Sequence, residues 1–374
     1  MSIIMISNYM NHHQISFCDE MYEITNHDFK FIATKPVSDF RIKLGYQEMD
    51  HEKKYIIASY ENNENYELAQ RVCREADVLI LGNVDKSFRV IKKKGQLVLF
   101  YSERLFKNSH KVLSNIARFI KYALKHQEYR RGYLLCASAY AAQDYRITGN
   151  FQNRSFKWGY FPEVYKYERK DLINKKNRVI PRIIWVGRLI DWKHPELAIE
   201  TAIVLKRKNL PFEMEIIGTG KMEDSLKKLI FEEKLSENVR MLGSIPTEQV
   251  RLHMEEANIF LFTSDENEGW GAVLNEAMNA ACAIVACREA GSVPYLIDNK
   301  VGMTFSKTEV HVLFESCEEM ILNPNKTLEM GLEAYKKIVE EWNGEIAAKR
   351  LYYLIQSLRY GKPCDYVGGP CSPA

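Results

Sequence analysis

The segment TSDENEGWGAVLNEAM sets two carboxylates, Glu268 and Glu276, on either side of a turn made by Gly269, Trp270 and Gly271. Ala272, Val273, Leu274, Ala277 and Met278 then follow with helical spacing, so a helix start is expected near Gly271. A helix start carries unpaired N–H groups and a partial positive charge, and glycines there let backbone approach an anion closely. Phosphate binding is the chemistry this pattern allows. Helical geometry would hold the Glu268 and Glu276 backbones about 12 Å apart. That suits the two ends of an extended sugar diphosphonucleoside better than a glycosidase pair, whose carboxyls stand about 5 to 9.5 Å apart. The competing reading is a solvated acidic loop of Asp265, Glu266 and Glu268 followed by a surface residue, Glu276.

Basic partners for a diphosphate occur in RIIWVGRLIDWKHPELAIE, where Gly187, Arg188 and Lys193 follow a run of strand character. Arg188 offers a planar fork to phosphate oxygens, and Lys193, just before a helix opened by Pro195, offers a point charge. Together they would stabilise a departing diphosphate without a metal ion. The chain has no Asp-x-Asp pair to hold one. In EIIGTGKMEDSLKKL, Gly218 and Gly220 make a tight turn that either borders a nucleotide or only joins strand to helix, since the third glycine of a dinucleotide fingerprint is missing.

Toward the start, SNYMNHHQ puts Asn11, His12 and His13 after the first apolar run, and YSERLFK puts Ser102 and Glu103 after another. Asn11, His13, Ser102 and Glu103 are candidates for the acceptor side. His13 could orient or deprotonate an acceptor hydroxyl, because imidazole titrates near neutrality, or it could be a solvated loop residue. Between residues 104 and 131, Arg104, Lys107, Lys111, Arg118, Lys121, Lys125, Arg130 and Arg131 alternate with Leu113, Ile116, Phe119, Ile120 and Leu124. This reads as one basic amphipathic helix, either packed with a solvated basic face or laid on an anionic membrane surface. A formal net charge of +3 gives no global attraction to nucleic acid, and no nucleic-acid module is recognisable, so no nucleic-acid partner is expected.

The elements that must position these residues alternate strand and helix patterns. Apolar runs at Ile3 to Ile6, Tyr55 to Ala58, Val78 to Leu81, Leu97 to Tyr101 and Tyr133 to Ala137 read as buried parallel strands. A second series follows at Arg182 to Val186, Glu213 to Ile217, Val239 to Leu242, Ile259 to Phe262 and Ala283 to Ala286. With 374 residues, two domains are expected. The expectation is α/β: a Rossmann-like domain over 1–165, a linker over 166–180, a second Rossmann-like domain over 181–340, a helix over 341–360 and a frayed tail over 361–374. Ligands of such sheets bind beyond the strands' carboxyl ends, so two doubly wound domains facing an interdomain cleft should carry the chemistry just after strands.

Eight cysteines include no CxxC pair. Cys282 and Cys287 lack further ligands for zinc, and Cys364 with Cys371 could cross-link only in a secreted protein. No metal and no cofactor are expected. The start lacks a basic region and a signal-length apolar run, and no stretch approaches the length that spans a bilayer, so a cytoplasmic protein is expected, soluble or peripheral on the inner membrane face.

VGRLIDWK and EGWGAVLNEAM resemble the strand-GR-x-x-x-x-K and E-G-F-G-L-V-x-x-E-A-M segments of family-4 glycosyltransferases, retaining enzymes of the GT-B fold. The resemblance is specific over Arg182 to Phe305 and topological before that. It implies that Arg188 and Lys193 bind the donor diphosphate, Glu276 the ribose hydroxyls and Glu268 the transferred sugar, with the amides of Gly271, Ala272 and Val273 lining the same pocket. It further implies that the segment carrying Trp342 returns to the first domain. Trp270 replaces Phe, Ala281 and Ala283 stand where Gly and Pro are common, and Ser292 and Tyr295 where Gly and Glu are usual. The function so implied is metal-independent, retaining transfer of a sugar from a UDP- or GDP-sugar, a co-substrate, to a hydroxyl of a saccharide or lipid-linked acceptor in polysaccharide or glycolipid synthesis. Alternatives are a nucleotide-sugar epimerase of the same fold, or a transferase-like subunit that only binds.

Overall fold

The computed structural model describes residues 1–38, 42, 49, 51, 53–82, 86–89, 95–107, 112–361 and 365–374. It divides into two compact units, Met1–Glu163 with Glu341–Ala374, and Val164–Glu340. Each is built on one parallel sheet.

The first unit's strands are β1 (Ile3–Ser7), β2 (Phe29–Ala33), β3 (Ile56–Ala58), β4 (Val78–Leu81), β5 (Leu97–Ser102), β6 (Tyr133–Cys136) and β7 (Ser155–Lys157), in the order β3-β2-β1-β4-β5-β6-β7. All of these pairs are parallel. Parallel neighbours cannot be joined by hairpins, so crossovers cover the sheet and its middle strands lose water on both faces. Hence β4, VLIL, is buried at every position. The apolar runs read from the sequence fall on strands. Two strands escape that reading: β2 follows His27 and Asp28 and contains Lys30, and β7 has only three residues; the run Tyr55 to Ala58 is β3 except for Tyr55, which lies just outside it.

The second unit's strands are β8 (Arg182–Val186), β9 (Glu213–Ile217), β10 (Val239–Gly243), β11 (Ile259–Phe262), β12 (Ala283–Cys287) and β13 (Gly302–Phe305), in the order β10-β9-β8-β11-β12-β13. β13 was not anticipated, because it starts on a glycine and exposes Thr304. Ile183, Trp185, Ile216, Leu261 and Val285 belong to one buried core. Chain order reverses between β8 and β11, which pair through Ile183 with Ile259 and Ile184 with Phe260. Loops leaving these two strands are therefore side by side, the position where doubly wound sheets bind ligands.

Three expectations about connections need correction. The segment 166–180 is not a bare linker, since Arg169–Lys176 is a helix of the second unit. Its single buried apolar side chain, Leu172, gives no periodic signal; it is fixed instead by Lys176, which is 4% exposed and donates to the carbonyls of Met254 and Ala257. The basic stretch 104–131 is not one helix but Val112–Ala123 and His126–Tyr129, preceded by the end of β5 and a loop; Lys111 lies outside the described residues. The tail is not frayed where it is described. Cys371 and Ser372 are fully buried, and the backbone of residues 371–374 bonds to Ser155 and Lys157 of β7. Cys364 lies outside the described residues, and the Cys371 side chain is buried.

The helix Gly344–Tyr360, capped by the Asn343 side chain on the Ile346 amide, belongs to the first unit, where it packs on the helix His12–Ile24. Trp342 is 2% exposed just before it. Asn11 caps the helix His12–Ile24 in the same way, accepting from the His13 amide at 3.0 Å.

Candidate active site

Two loops converge where β8 and β11 end. The first, after Val186, carries Gly187, Arg188 and the 3-10 turn Asp191–Lys193; the second, after Phe262, carries Asp265, Glu266 and Glu268. Thr263 binds them together: its hydroxyl accepts from Trp185 Nε1 at 2.8 Å and donates to the Lys193 carbonyl at 2.6 Å. The Asp265 amide adds a bond to the Trp192 carbonyl at 3.1 Å. The Lys193 backbone is thus anchored from the neighbouring strand, and its ammonium pairs with Glu268 Oε2. Both side chains of that pair are nearly withdrawn from water, at 13% and 12% exposure.

The acidic loop is therefore not a solvated one. Asp265 accepts from the Asn267 amide at 2.8 Å and meets His194 Nε2 at 3.3 Å, while Glu266 pairs with Lys307 at 2.6 Å. His194, in the left-handed region at φ 50°, also bonds Glu196 at 2.8 Å. Hydrogen bonds from Asp265 and Glu196 raise the His194 pKa to about 9, so it is an imidazolium at neutral pH. Arg188 is exposed, with its guanidinium 5.5 Å from the centre of the Trp192 ring, and Lys193 lies 4.9 Å from the same ring. Three cationic groups thus stand on one turn, of which Arg188 faces water. Trp185, Thr263, His194 and Asp265 were missed by the sequence reading; their signal is only that they sit one to three residues from Gly187, Lys193 and Phe262.

Beyond Glu268 the chain departs from helical geometry. Gly271 has φ +86°, and a Cβ there would collide with the Phe262 ring, so the turn requires glycine. The helix begins only at Val273 and runs to Asn279, with Ala272 as its cap residue and Glu276 in its first turn. An all-helix spacing between the glutamates therefore does not apply. Burial pushes the Glu276 carboxyl up to about 7. Trp270 stands behind the site, not in it: the side chain is fully buried, Nε1 donates to Asn275 Oδ1 at 2.9 Å, and its carbonyl accepts from Ser292 Oγ.

Gly218 and Gly220 serve backbone packing. A Cβ on Gly218, at φ +135°, would strike the Gly187 carbonyl, and one on Gly220 the Leu189 carbonyl. That closeness allows Gly187 to donate to Ile217 at 3.0 Å and Leu189 to Thr219 at 2.9 Å, which holds the Arg188 loop against β9. Gly187 in turn lies over the Trp185 ring.

The candidates Asn11, His13, Ser102 and Glu103 lie in the first unit. Asn11, Ser102 and Glu103 line one cavity, and His13 stacks at 5.8 Å on Tyr160, which lines it too. Ser102 accepts from Tyr145 Oη at 3.1 Å, and Glu103 takes hydrogen bonds from Lys107 and Tyr160.

Residues 166–337 match the family model described as glycosyl transferases group 1. Over that segment the chain is similar to this family. It is 28% identical over 208 residues to the amylovoran biosynthesis glycosyltransferase AmsK of Erwinia amylovora, covering 54% of this chain and 50% of that one. To the GDP-mannose-dependent alpha-(1-6)-phosphatidylinositol monomannoside mannosyltransferase of Mycolicibacterium smegmatis it is 23% identical over 185 residues, 48% of each chain. The chain spans about half the length of the curated relatives it matches. Its fold is GT-B: Anabaena HepE, solved in complex with UDP, superposes with a TM-score of 0.70 over 96% of this chain and 100% of that one at 13% identity.

Within the second unit His194 supplies a pH test. Its pKa is raised on folding, so its contribution to stability is complete below about 6.5 and is lost as pH rises through about 9. Thermal unfolding of wild type and His194→Gln should differ most near pH 6 and converge by pH 10; a constant gap would refute the imidazolium. Gly271→Ala should lower stability by about 2–4 kcal/mol, combining left-handed strain with overpacking, measured by urea denaturation.

Proposed function

We propose that the chain is a retaining glycosyltransferase that moves a sugar from a UDP- or GDP-sugar to a hydroxyl acceptor in the synthesis of a cell-surface polysaccharide or glycolipid. The observation that carries this reading is the Lys193–Glu268 pair at the switch point of the second sheet, with Arg188 beside it. Relatives named for polysaccharide and glycolipid synthesis support it, as does the likeness to a structure holding UDP.

In the unliganded domain Lys193 and Glu268 satisfy each other. Arrival of the donor exchanges partners: diphosphate oxygens take Lys193 and Arg188, and Glu268 turns to accept from sugar hydroxyls. Glu276 accepts from the ribose. As the bond from C1 to the diphosphate oxygen breaks, charge grows on that oxygen, where Lys193 and Arg188 meet it without a metal ion. The acceptor oxygen bonds C1 on the same face, and its proton passes to the departing phosphate, which retains the anomeric configuration. Partial burial strengthens these charge interactions relative to water.

The exposed residues Leu113, Ile116, Phe119, Ile120 and Leu124, interspersed with Arg118, Lys121 and Lys125, fit an anionic lipid surface, and a peripheral position on the cytoplasmic face follows. Among the described residues no helix is long and apolar enough to cross a membrane.

Lys193→Ala should lower kcat/KM for sugar transfer by about 10²–10³, the effect of removing a preorganised charge from the leaving group. Arg188→Ala, which removes a more exposed charge, should cost about tenfold, or ~1.4 kcal/mol. Activity equal to wild type in both variants rejects the site. A rise in melting temperature with UDP or GDP measures donor binding directly and names the base. Leu113→Glu with Ile120→Glu should weaken co-sedimentation with phosphatidylglycerol vesicles at least about tenfold, since each buried aliphatic side chain is worth about 1.5–3 kcal/mol.

A further inference from the structure

The first unit encloses a cavity of about 510 Å³ beyond the carboxyl ends of β1, β4 and β5, lined by Ser7 and the residues after it, by Gly82, and by Ser102 and Glu103. Its described walls hold four cations, Arg104, Lys107, Arg118 and Lys121, and one carboxylate, Glu103. Four less one leaves three positive charges. Lys107 pairs with Glu103, so the surplus lies on Arg104, Arg118 and Lys121.

These cations are held in place. Arg118 Nη1 donates to the Leu105 carbonyl at 2.9 Å, which fixes the plane of its guanidinium. Arg104, only 14% exposed, stacks 4.6 Å over the Tyr140 ring. Its neighbour Asp144 stands 3.9 Å away and is already occupied by the Leu105 and Phe106 amides at 2.8 and 3.0 Å. Tyr101, Tyr145 and Tyr160 on the same walls stay protonated, because burial pushes their phenols up. Gln14, 7% exposed, lines the cavity with an Oε1 that accepts from no described group. Such a wall offers hydroxyl donors and an open acceptor for a sugar, and a concentrated positive charge for something else.

We propose that this cavity is the acceptor site and that the acceptor carries a phosphate group, held by Arg104, Arg118 and Lys121, beside the hydroxyl that receives the sugar. The proposal rests on the transferase reading above and adds the acceptor's class. A phosphate brings about −1.5 to −2 charges and a diphosphate more, which matches three cations; a neutral saccharide would leave them facing each other, and a carboxylate would meet only one. A lipid phosphate and a soluble phosphosugar both present this group, and the experiment below separates them. Arg118 and Lys121 reach the cavity from the same helix, Val112–Ala123, that exposes Leu113, Ile116 and Ile120.

The test is calorimetric titration of the full chain at saturating UDP, which fills the donor site, with decyl diphosphate, inorganic diphosphate, glucose 6-phosphate and octyl glucoside. The phosphate-bearing probes should bind at least tenfold more tightly than octyl glucoside. Lys121→Glu, on an exposed residue where folding is not at stake, and Arg118→Ala should each weaken them at least tenfold, while Arg118→Lys stays within a few-fold of wild type and Lys228→Ala, on an exposed helix face of the second unit, changes nothing. Decyl diphosphate exceeding inorganic diphosphate assigns a lipid acceptor; glucose 6-phosphate binding as tightly as either assigns a soluble one; both support the proposal. Phosphate probes no tighter than octyl glucoside, or indifferent to Lys121→Glu, overturn it. Loss of UDP stabilisation with probe binding intact would sink the donor reading alone.

Discussion

Everything at the Lys193–Glu268 site depends on β8 and β11 being parallel neighbours. Parallel pairing makes two strands finish at the same sheet margin, although Val186 and Phe262 are far apart in sequence. The charged loops that leave them would otherwise be independent and well hydrated. Held together by Trp185, Thr263 and the Lys193 carbonyl, they bring an ammonium and a carboxylate into a place with little water. A buried ion there is tolerable only while it has a partner, so the Lys193 and Glu268 side chains hold each other ready for a ligand that can replace both partners at once.

The glycines at this margin do work that is mostly geometric. Gly218 and Gly220 let one loop backbone rest on another, and Gly271 reverses the chain just before its helix. They therefore set where Arg188 and Glu268 stand. Trp270 acts similarly, as a buried wedge bonded to Asn275 and Ser292.

Much of this was legible because its causes are local. Continuous apolar runs mark buried parallel strands, and Arg188, Lys193, Glu268 and Glu276 are recognisable from residue type and their place after strands. What escaped depends on partners distant in sequence. Lys176 looks like one more charge in a polar stretch, yet it is buried because the Met254 and Ala257 carbonyls await it. Thr263 and Trp185 look like strand residues, and only tertiary structure makes them a clasp. Ala281 illustrates the reverse: it replaces a customary glycine but keeps a left-handed conformation at φ 55°, so the change of residue conceals an unchanged turn. The charge of the first unit's cavity was hidden for another reason. Arg104, Arg118 and Lys121 read as the polar face of one long helix, whereas Arg104 lies outside the helix Val112–Ala123 and all three line a pocket.

The closing of the first sheet's margin bears on how the molecule is made. The backbone of residues 371–374 lies along β7, and the helix Gly344–Tyr360 packs on the helix His12–Ile24. The unit that contains Met1 is thus completed by residues synthesised after the whole of the second unit, while Val164–Glu340 is continuous and can fold as soon as it has left the ribosome. Until then β7 is a short open edge and the apolar face of the first helix is uncovered, both of them hazards in a nascent chain. Folding order of the two units should therefore run against chain order, with Val164–Glu340 maturing first and Met1–Glu163 waiting for residues 341–374.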